Sequence, residues 1–162
     1  MKIKIGLGYD LHRLEKNRGL FLGGIEIPFR KGLVGHSDGD VLLHAIIDAL
    51  LGAIGERDIG QLFPDTDPQY KNIRSTEFLK QVMKIVRKKR MKIQNIDSVV
   101  IAQEPKIAPH IPRMKEILCP ILEIKPDFLG IKAKTNEGVG EIGQGKAISS
   151  YAVVLLTSEG EE

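Results

Sequence analysis

The sequence predicts an α+β fold, in which a roughly four-stranded mixed sheet carries helices packed on one face. Apolar residues alternate with period two at the start of the chain, which is typical of a strand. Three later segments place apolar residues at helical spacing, and short apolar runs with strand character lie between and after them. No repeat, linker or low-complexity stretch divides the 162 residues, so we expect a single domain over residues 1 to 162.

The first strand is predicted from Lys2 to Asp10, where isoleucine, leucine and tyrosine alternate with lysine and glycine. Asp10 and His12 have the same parity, so both side chains point to one face of the sheet if the strand continues. The segment from Leu20 to Ile27 predicts a β-hairpin that turns at Gly23 and Gly24.

A flexible, glycine-containing loop over residues 32 to 39 and then an apolar helix are expected next. Apolar residues recur at helical spacing from Leu42 to Ile54, and Gly55 marks the expected end of this helix. At its start Ser37 and Asp40 are three residues apart and resemble a capping box.

The remaining elements follow from the same kinds of pattern. Residues 58 to 67 are rich in Gly, Pro and Asp and predict a loop, and two prolines predict a stiff loop at Glu104 to Pro109. We expect a helix at Ile73 to Arg90, a strand at Ile96 to Gln103, a helix from about Ile111, strands at Leu129 to Thr135 and Ile148 to Thr157, and a glycine-rich loop at Glu137 to Gly145. Pro120 predicts a kink or an early end in the third helix.

Composition narrows the classes of partner. The formal net charge is +3, from 24 basic and 21 acidic residues, which is too small to indicate a nucleic-acid partner. Aromatic residues make up only 5% of the chain and Trp is absent, so base-stacking surfaces are not expected. No segment approaches the length of a membrane span, and the single cysteine, Cys119, is expected to be a packed thiol. We therefore expect a cytoplasmic protein that acts on small molecules, without a membrane partner.

Asp10, His12 and His44 are candidate metal ligands. Two imidazoles and one carboxylate suit Zn²⁺ or another first-row divalent ion, and a three-residue set leaves a fourth position open for substrate. His44 lies inside an apolar helix, and Asp48 or Asp40, each one turn away, could accept a hydrogen bond from its second ring nitrogen. A satisfied core histidine beside solvated or capping polar residues is the alternative that the residues alone leave open.

Two loops carry residue types that suit a phosphorylated substrate. The turns Asp58 to Gly60 and Phe63 to Asp67 offer carboxylates for polyol hydroxyls or a hard cation, although turn chemistry alone also explains them. In the glycine-rich loop backbone N–H groups can approach phosphates, while Thr135 offers a hydroxyl and Glu137 a ligand for Mg²⁺ or Mn²⁺. A mobile surface loop is the alternative interpretation of those glycines.

Five motifs occur in order along nearly the whole chain. They are G-Y-D-L-H at Gly8 to His12, H-S-D-G-D-V-L-L-H-A at His36 to Ala45, D-I-G-Q-L-F-P-D-T-D at Asp58 to Asp67, I-A-Q-E-P-K at Ile101 to Lys106, and K-A-K-T-N-E at Lys132 to Glu137. This series resembles the 2-C-methyl-D-erythritol 2,4-cyclodiphosphate synthase family. The resemblance implies a homotrimer with active sites at the subunit boundaries. It also implies an enzyme of isoprenoid precursor synthesis that converts 4-diphosphocytidyl-2-C-methyl-D-erythritol 2-phosphate to the cyclodiphosphate and releases CMP.

The resemblance also implies roles for individual residues. Asp10, His12 and His44 would bind zinc or another divalent metal, and Glu137 would bind a second divalent ion, Mg²⁺ or Mn²⁺, at the diphosphate. His36 and Thr135 would stabilise the transition state. Substrate contacts are expected from Asp10, His12, His36, Ser37, Asp58, Gly60, Phe63, Asp65, Asp67, Ala102, Pro105, Lys106, Ala108, Lys134, Thr135, Glu137, Glu141 and Gln144, with the cytosine held largely by backbone groups of residues 102 to 108.

Three positions depart from the family's pattern. Glu141 and Gln144 stand where the family often has an aromatic residue and an arginine, so a phosphate contact through arginine is lost or supplied by another group. Lys134 stands where a hydroxyl residue is common, and its backbone N–H remains available as a donor.

Two other functions share parts of this pattern. A zinc-dependent phosphohydrolase acting on a nucleotide-linked substrate would use the same metal ligands to activate water. A non-catalytic metal- or nucleotide-binding module is a different class, and the joint presence of the triad and both loops argues against it.

The cyclisation would need no general base, because a phosphate oxygen with a second pKa of about 6 is largely ionised at neutral pH.

Overall fold

A five-stranded mixed sheet forms the centre of the computed structural model, which describes residues 1–158. Residues 1–158 contain seven strands, namely β1 (Ile3–Lys16), β2 (Leu20–Leu22), β3 (Ile25–Ile27), β4 (Lys31–Leu33), β5 (Met91–Ile101), β6 (Leu129–Lys134) and β7 (Ala147–Ser158). The sheet order is β4-β1-β7-β5-β6, with β5 and β6 parallel and the other pairs antiparallel. Strands β2 and β3 form a separate hairpin, as predicted.

Helices cover one face of this sheet. The helices of the described residues are α1 (Val41–Ala53), α2 (Ile59–Leu62), α3 (Ser75–Lys88), α4 (Ile111–Leu122) and α5 (Gly140–Gly143), of which α2 and α5 are single turns within loops. Helix α1 lies directly against β1 and β7, α3 packs on α1, and α4 packs on α3. Nearly every residue of α1 is buried, which agrees with its apolar composition and places the centre of the core at this helix.

The sheet has five strands rather than the four expected, because residues 31 to 33 form β4 and not a flexible loop. Strand β1 continues to Lys16, beyond the predicted end at Asp10, and its last residues pair with β4. Gly32 permits this packing, since a Cβ there would lie 2.1 Å from the carbonyl oxygen of Gly19. The glycine serves a close backbone approach and does not mark a flexible segment.

The buried side of β1 is the glycine side. A Cβ on Gly6 would lie 1.8 Å from the carbonyl oxygen of Ala49, and one on Gly8 would lie 1.8 Å from that of Ala45. Helix α1 therefore rests with its backbone against the strand. The alternating apolar residues, which indicate a half-buried strand, point to the opposite face and are exposed in the single chain; they are Ile3, Ile5, Leu7, Tyr9 and Leu11.

Several boundaries differ from the sequence expectation for local reasons. Asp40, not Ser37, is the N-cap of α1, and its carboxyl group accepts a hydrogen bond from the Leu43 N–H. The loop expected over residues 58 to 67 contains the short helix α2, which Asp58 caps, and the glycine-rich loop contains α5. Helix α4 continues through Pro120 and ends two residues later, at Leu122.

Two further expectations concern the core and the membrane. Cys119 is a buried free thiol in α4, which confirms that it is a packed residue. Within residues 1–158, no helix has both the length and the apolar character that crossing a bilayer requires.

Candidate metal centre and adjoining cavity

The contact between β1 and α1 brings Asp10, His12 and His44 together. Asp10 and His12 lie on the same face of β1 as Gly8, as their parity predicts. Because Gly8 lets α1 touch the strand at Ala45, the neighbouring residue His44 faces the two strand residues. The bare backbone at Gly8 is thus what places a helical side chain within bonding distance of the strand.

The three side chains present their ligand atoms to one point. Oδ2 of Asp10 lies 2.8 Å from Nε2 of His12 and 2.9 Å from Nδ1 of His44, and the two nitrogens are 3.2 Å apart. A tetrahedral ion with ligand bonds of 2.0–2.1 Å separates its ligands by roughly 3.3 Å. The observed spacings are close to that value, so the donor set fits a divalent metal ion, and this group could hold one.

Hydrogen bonds to the outer nitrogens fix which ring atoms are free to coordinate. Nδ1 of His12 lies 2.5 Å from the carbonyl oxygen of Val34, which can only accept, so this nitrogen donates and Nε2 faces the site. Nε2 of His44 lies 2.8 Å from the hydroxyl of Ser75 and 3.3 Å from that of Ser37. Nδ1 of His44 is therefore the nitrogen directed at the other two ligands.

The predicted acceptors for His44 do not have that role. The carboxyl group of Asp48 accepts a hydrogen bond from the Ile59 N–H at 2.7 Å. The carboxyl group of Asp40 accepts from Gly23, Gly24 and Leu43. Both aspartates are thus committed to backbone groups, and the partner of the imidazole is a hydroxyl from another helix.

Charge within the triad is balanced by mutual interaction. Burial alone would raise the pKa of Asp10, but the hydrogen bonds from His12 and His44 outweigh it and hold the pKa at about 2. Burial would likewise lower the pKa of His12, and the hydrogen bond and charge of Asp10 overcome this and raise it. The carboxylate of Asp10 therefore stays negative beside the imidazoles, as a metal ligand must, while the raised pKa of His12 favours a proton that a metal ion would have to displace.

A cavity of about 310 Å³ opens beside the triad. Besides the triad, it is lined by the predicted residues His36, Ser37, Gly60, Phe63 and Asp65, and by Ile59, Tyr70 and Phe78. The rings of Phe63 and Phe78 stack with centroids 4.6 Å apart, and Tyr70 meets both edge-on. This aromatic cluster anchors the Asp-rich segment against α3 and so forms a wall of the cavity.

Two predicted aspartates of that segment form hydrogen bonds with residues close to them in the sequence. Asp58 caps α2 and bonds the side chain of Gln61, and Asp67 makes the same kind of contact with Gln69. Nε2 of His36 lies 3.4 Å from the backbone carbonyl of Asp67. The side chains of Asp58 and Asp67 do not line the cavity. They lie at the two ends of the segment that supplies the lining residues Gly60, Phe63 and Asp65.

The second half of the predicted site lies elsewhere on the chain. Strands β5 and β6 are parallel, so the segments that follow them emerge at one edge, and the Ala102 N–H donates to the Lys134 carbonyl. The Gly138 N–H reaches the side chain of Gln103, which joins the two loops. These loops carry Ala102, Pro105, Lys106, Ala108, Lys134, Thr135, Glu137, Glu141 and Gln144, none of which lines the triad cavity of the same chain.

Sequence reasoning missed Ser75, Tyr70, Phe78 and Ile59 as site residues. Phe78 lies on the buried side of α3 and packs against the core, so its apolar character gives no separate signal of a site. Ser75 gave a weak signal, as a polar residue in the first turn of an amphipathic helix. Its contact with His44 spans 31 positions and depends on how α3 packs against α1, which local pattern does not encode.

Fold and site together define a class: an α+β protein in which three side chains that could hold a metal ion face a cavity large enough for a small molecule. Residues 3–157 match the model of the YgbB family, and the chain belongs to that family. A 2-C-methyl-D-erythritol 2,4-cyclodiphosphate synthase from Caldicellulosiruptor bescii is 56% identical over 94% of this chain and 98% of its own length.

Solved structures agree with that family. A structure of a 2C-methyl-D-erythritol-2,4-cyclodiphosphate synthase is similar with a TM-score of 0.88 and 41% identity, over 95% of this chain and 100% of the other. A CDP complex of IspF from Plasmodium falciparum gives a TM-score of 0.86 and 37% identity, over 98% and 97% of the two chains. The similarity therefore extends over the whole fold.

Proposed function

We propose that this chain catalyses the reaction of the 2-C-methyl-D-erythritol 2,4-cyclodiphosphate synthases. It converts 4-diphosphocytidyl-2-C-methyl-D-erythritol 2-phosphate to the 2,4-cyclodiphosphate and releases CMP, a step of non-mevalonate isoprenoid precursor synthesis. The convergence of Asp10, His12 and His44 beside a cavity of about 310 Å³ carries this proposal. The names of relatives with more than 50% identity over nearly the whole chain support it.

The reaction is an intramolecular phosphoryl transfer, and hence a phosphorus–oxygen lyase reaction. An oxygen of the 2-phosphate forms a bond to the phosphorus on the methylerythritol side of the diphosphate, and the bond from that phosphorus to the CMP oxygen breaks. The electron pair of the broken bond leaves with CMP. The attacking oxygen is already largely ionised near neutral pH, since a phosphate monoester has a second pKa of about 6.

What such a reaction needs from the protein is positioning of two anions that repel each other. A zinc ion at the triad and a second divalent ion at Glu137 would supply neutralising positive charge when bound. Ser37, at the cavity wall and 3.3 Å from His44, is placed to donate to a phosphate near the triad. His36 lines the same cavity and would donate to the transferring group, with Thr135 in the matching role on the second loop.

The methylerythritol unit fits the remaining wall. Gly60, Phe63 and Asp65 line this wall. The backbone of Gly60 and the carboxylate of Asp65 offer polar groups for the hydroxyls, and the ring of Phe63 offers an apolar surface for the carbon skeleton. Asp58 caps the helix that carries Gly60, so its contribution includes holding that turn. The loop of residues 102 to 108 would receive cytosine.

The active site would be completed by a second copy of the chain. The loops assigned to cytidine and diphosphate do not line the triad cavity of their own chain, and a homotrimer with sites at its subunit boundaries would bring the halves together. The exposed apolar face of the sheet supports such an assembly, because side chains such as Leu7, with 67% exposure, would gain burial there. A cytoplasmic location, expected from the sequence, stays a prediction.

Product analysis tests the proposed function. The protein is incubated with the substrate, Zn²⁺ and Mg²⁺ in water labelled with oxygen-18. The products are then separated by chromatography, and their molecular masses are measured by mass spectrometry. The synthase releases CMP and an unlabelled cyclic product in equal amounts. A phosphohydrolase would instead release an acyclic product and place the label on that product or on CMP, and that result would refute the proposal.

A substitution in the metal centre provides the matching genetic test. His44→Ala removes a ligand from a three-ligand site, so we expect loss of stoichiometric zinc and a fall in CMP release of at least about a hundredfold. Elemental analysis and the CMP assay measure the two effects. The matched control is His110→Ala, which removes an imidazole outside the triad and should keep the zinc content of the unsubstituted protein.

A further inference from the structure

A hydrogen-bonded chain of three residues runs behind the metal centre, from His44 through Ser75 to Asp38. Nε2 of His44 lies 2.8 Å from Oγ of Ser75, and that oxygen lies 2.5 Å from Oδ1 of Asp38. Ser75 is fully buried, and the side chain of Asp38 is 4% exposed. Neither residue lines the substrate cavity, so their arrangement needs an explanation other than substrate contact.

The environment of Asp38 determines the direction of these hydrogen bonds. Its two carboxyl oxygens receive the N–H of Ser75 at 2.8 Å and the N–H of Asp40 at 3.1 Å, and Arg74 Nε approaches at 3.3 Å. A carboxylate surrounded by donors acts only as an acceptor. The hydroxyl of Ser75 must therefore donate to Asp38, which turns a lone pair of its oxygen toward His44.

From this geometry we infer that Ser75 and Asp38 are positioning residues that select the metal-binding tautomer of His44. Ser75 presents a lone pair to Nε2, so when a metal is bound the proton of the imidazole resides on that nitrogen. The other nitrogen, Nδ1, lies on the side of Asp10 and His12 and then offers its electron pair to the ion. The inference rests on the metal site of the proposed function and not on the reaction.

Ser37 does not provide this constraint. Its hydroxyl is farther from Nε2, at 3.3 Å, and it lines the cavity, where substrate can engage it. The hydroxyl of Ser75 is closer to Nε2 of His44, at 2.8 Å, and it is buried and hydrogen-bonded to the carboxylate of Asp38. A buried acceptor with a fixed orientation is what holds the Nε2–H, and with it the ring, in the orientation that a metal ligand needs.

The first test uses the unsubstituted protein and needs no variant. Nitrogen-15 spectra of the histidine side chains in the zinc-loaded protein should show His44 with zinc on Nδ1 and a proton on Nε2. Zinc on Nε2 of His44 would overturn the inference.

The second test removes the hydroxyl. Ser75→Ala should lower the zinc affinity about ten- to a hundredfold, the usual effect of losing a partner that orients a metal ligand. The matched control is Ser98→Ala, which deletes another buried hydroxyl, one that donates to the Gly130 carbonyl at 2.7 Å in the sheet. The control should lose comparable thermal stability and keep its zinc affinity. Unchanged affinity in a folded Ser75→Ala protein would contradict the positioning role.

Asp38 provides an independent third test. Asp38→Asn should lower zinc affinity in the same direction, and combining it with Ser75→Ala should add little, because both act through one hydrogen-bonded chain. Fully additive losses would show that Asp38 acts by another route and would refute that part of the inference. Zinc affinity is measured by chelator competition without substrate, so a protein that binds zinc as described but releases no CMP would refute the proposed function alone.

Discussion

Asp10 is the residue on which the charge state of the metal centre depends. One carboxyl oxygen contacts both imidazoles, and the other accepts the N–H of Leu11 at 2.9 Å, which fixes the orientation of the group. In the metal-free protein this carboxylate raises the pKa of His12, so a proton occupies the place that a cation would take. A proton and a metal ion therefore compete for the same two atoms, Oδ2 of Asp10 and Nε2 of His12.

This competition predicts how the stability of the metal-free protein depends on pH. His12 has a pKa raised above 6.5, so its contribution is complete below pH 6.5 and is lost as pH rises through the raised value. Asp10 has its pKa lowered from 3.8 to about 2, so its contribution is present above pH 3.8 and is lost as pH falls toward 2. The pair should thus stabilise the metal-free fold most between pH 3.8 and 6.5, as urea unfolding across pH would measure.

Asp10→Asn is the control for that profile. The amide cannot supply the charge that raises the pKa of His12, so the decline in stability above pH 6.5 should become shallower. Zinc binding to the unsubstituted protein should show the opposite trend, with apparent affinity rising with pH as His12 loses its proton. A decline of equal steepness in Asp10→Asn would assign the pH dependence to other groups.

At the scale of elements, the close contact of α1 and β1 predicts a large effect from one methyl group. Gly8→Ala would place a Cβ 1.8 Å from the Ala45 carbonyl, so helix and strand must separate. We expect a loss of about 3 kcal/mol or more in the free energy of unfolding, because the obstacle is backbone and cannot repack. Zinc affinity should fall too, since His44 is displaced from Asp10; unfolding curves and chelator competition measure both.

Gly52→Ala is the matched control for that substitution. Gly52 lies on the exposed side of α1, and a Cβ there meets nothing within 4 Å. The same chemical change should therefore stabilise the protein by about 0.5–1 kcal/mol through helix propensity. If both variants lose stability equally, the close contact at Gly8 does not carry the effect.

The elements that the sequence predicts correctly are those with a long periodic pattern. Helices α1, α3 and α4 and strands β6 and β7 occur where spacing of apolar residues places them. Strand β4 and helices α2 and α5 have three or four residues each, too few to show a period, and they depend on pairing or capping partners. The triad was predictable because parity and one helical position fix its members, whereas Ser75 joins it through packing of α3 on α1.

At the scale of the whole molecule, the sheet has one face covered by helices and one face that is apolar and exposed. The exposed face includes Leu7, Tyr9, Tyr151 and Val153, with exposures between 44% and 67%. Tyr9 and Tyr151 are paired across β1 and β7 with ring centroids 4.8 Å apart, so the face is ordered as well as apolar. A contiguous ordered apolar surface on a small protein indicates association, and it supports the proposed trimer.

The proposed trimer predicts that two inactive variants can restore each other. His44→Ala disables the triad half of a site, and Glu137→Ala disables the loop half. If each site takes its triad from one chain and its loops from a neighbour, some boundaries in a mixed trimer contain two intact halves. Random mixing in equal amounts should then recover roughly a quarter of the activity of the unsubstituted protein. Co-expression, light scattering and the CMP assay measure the mixing, the assembly and the recovery.

The pairing of variants decides between the two possible site arrangements. A site built from one chain would stay inactive in every mixture of His44→Ala with Glu137→Ala, because each chain carries one defect. Mixing His44→Ala with Asp10→Asn, two defects in the same triad, should recover nothing in either arrangement and excludes non-specific rescue. The loops lie outside the triad cavity of their own chain. If activity recovers only when one variant has its defect in the triad and the other in the glycine-rich loop, the loops must reach the cavity of a neighbouring chain.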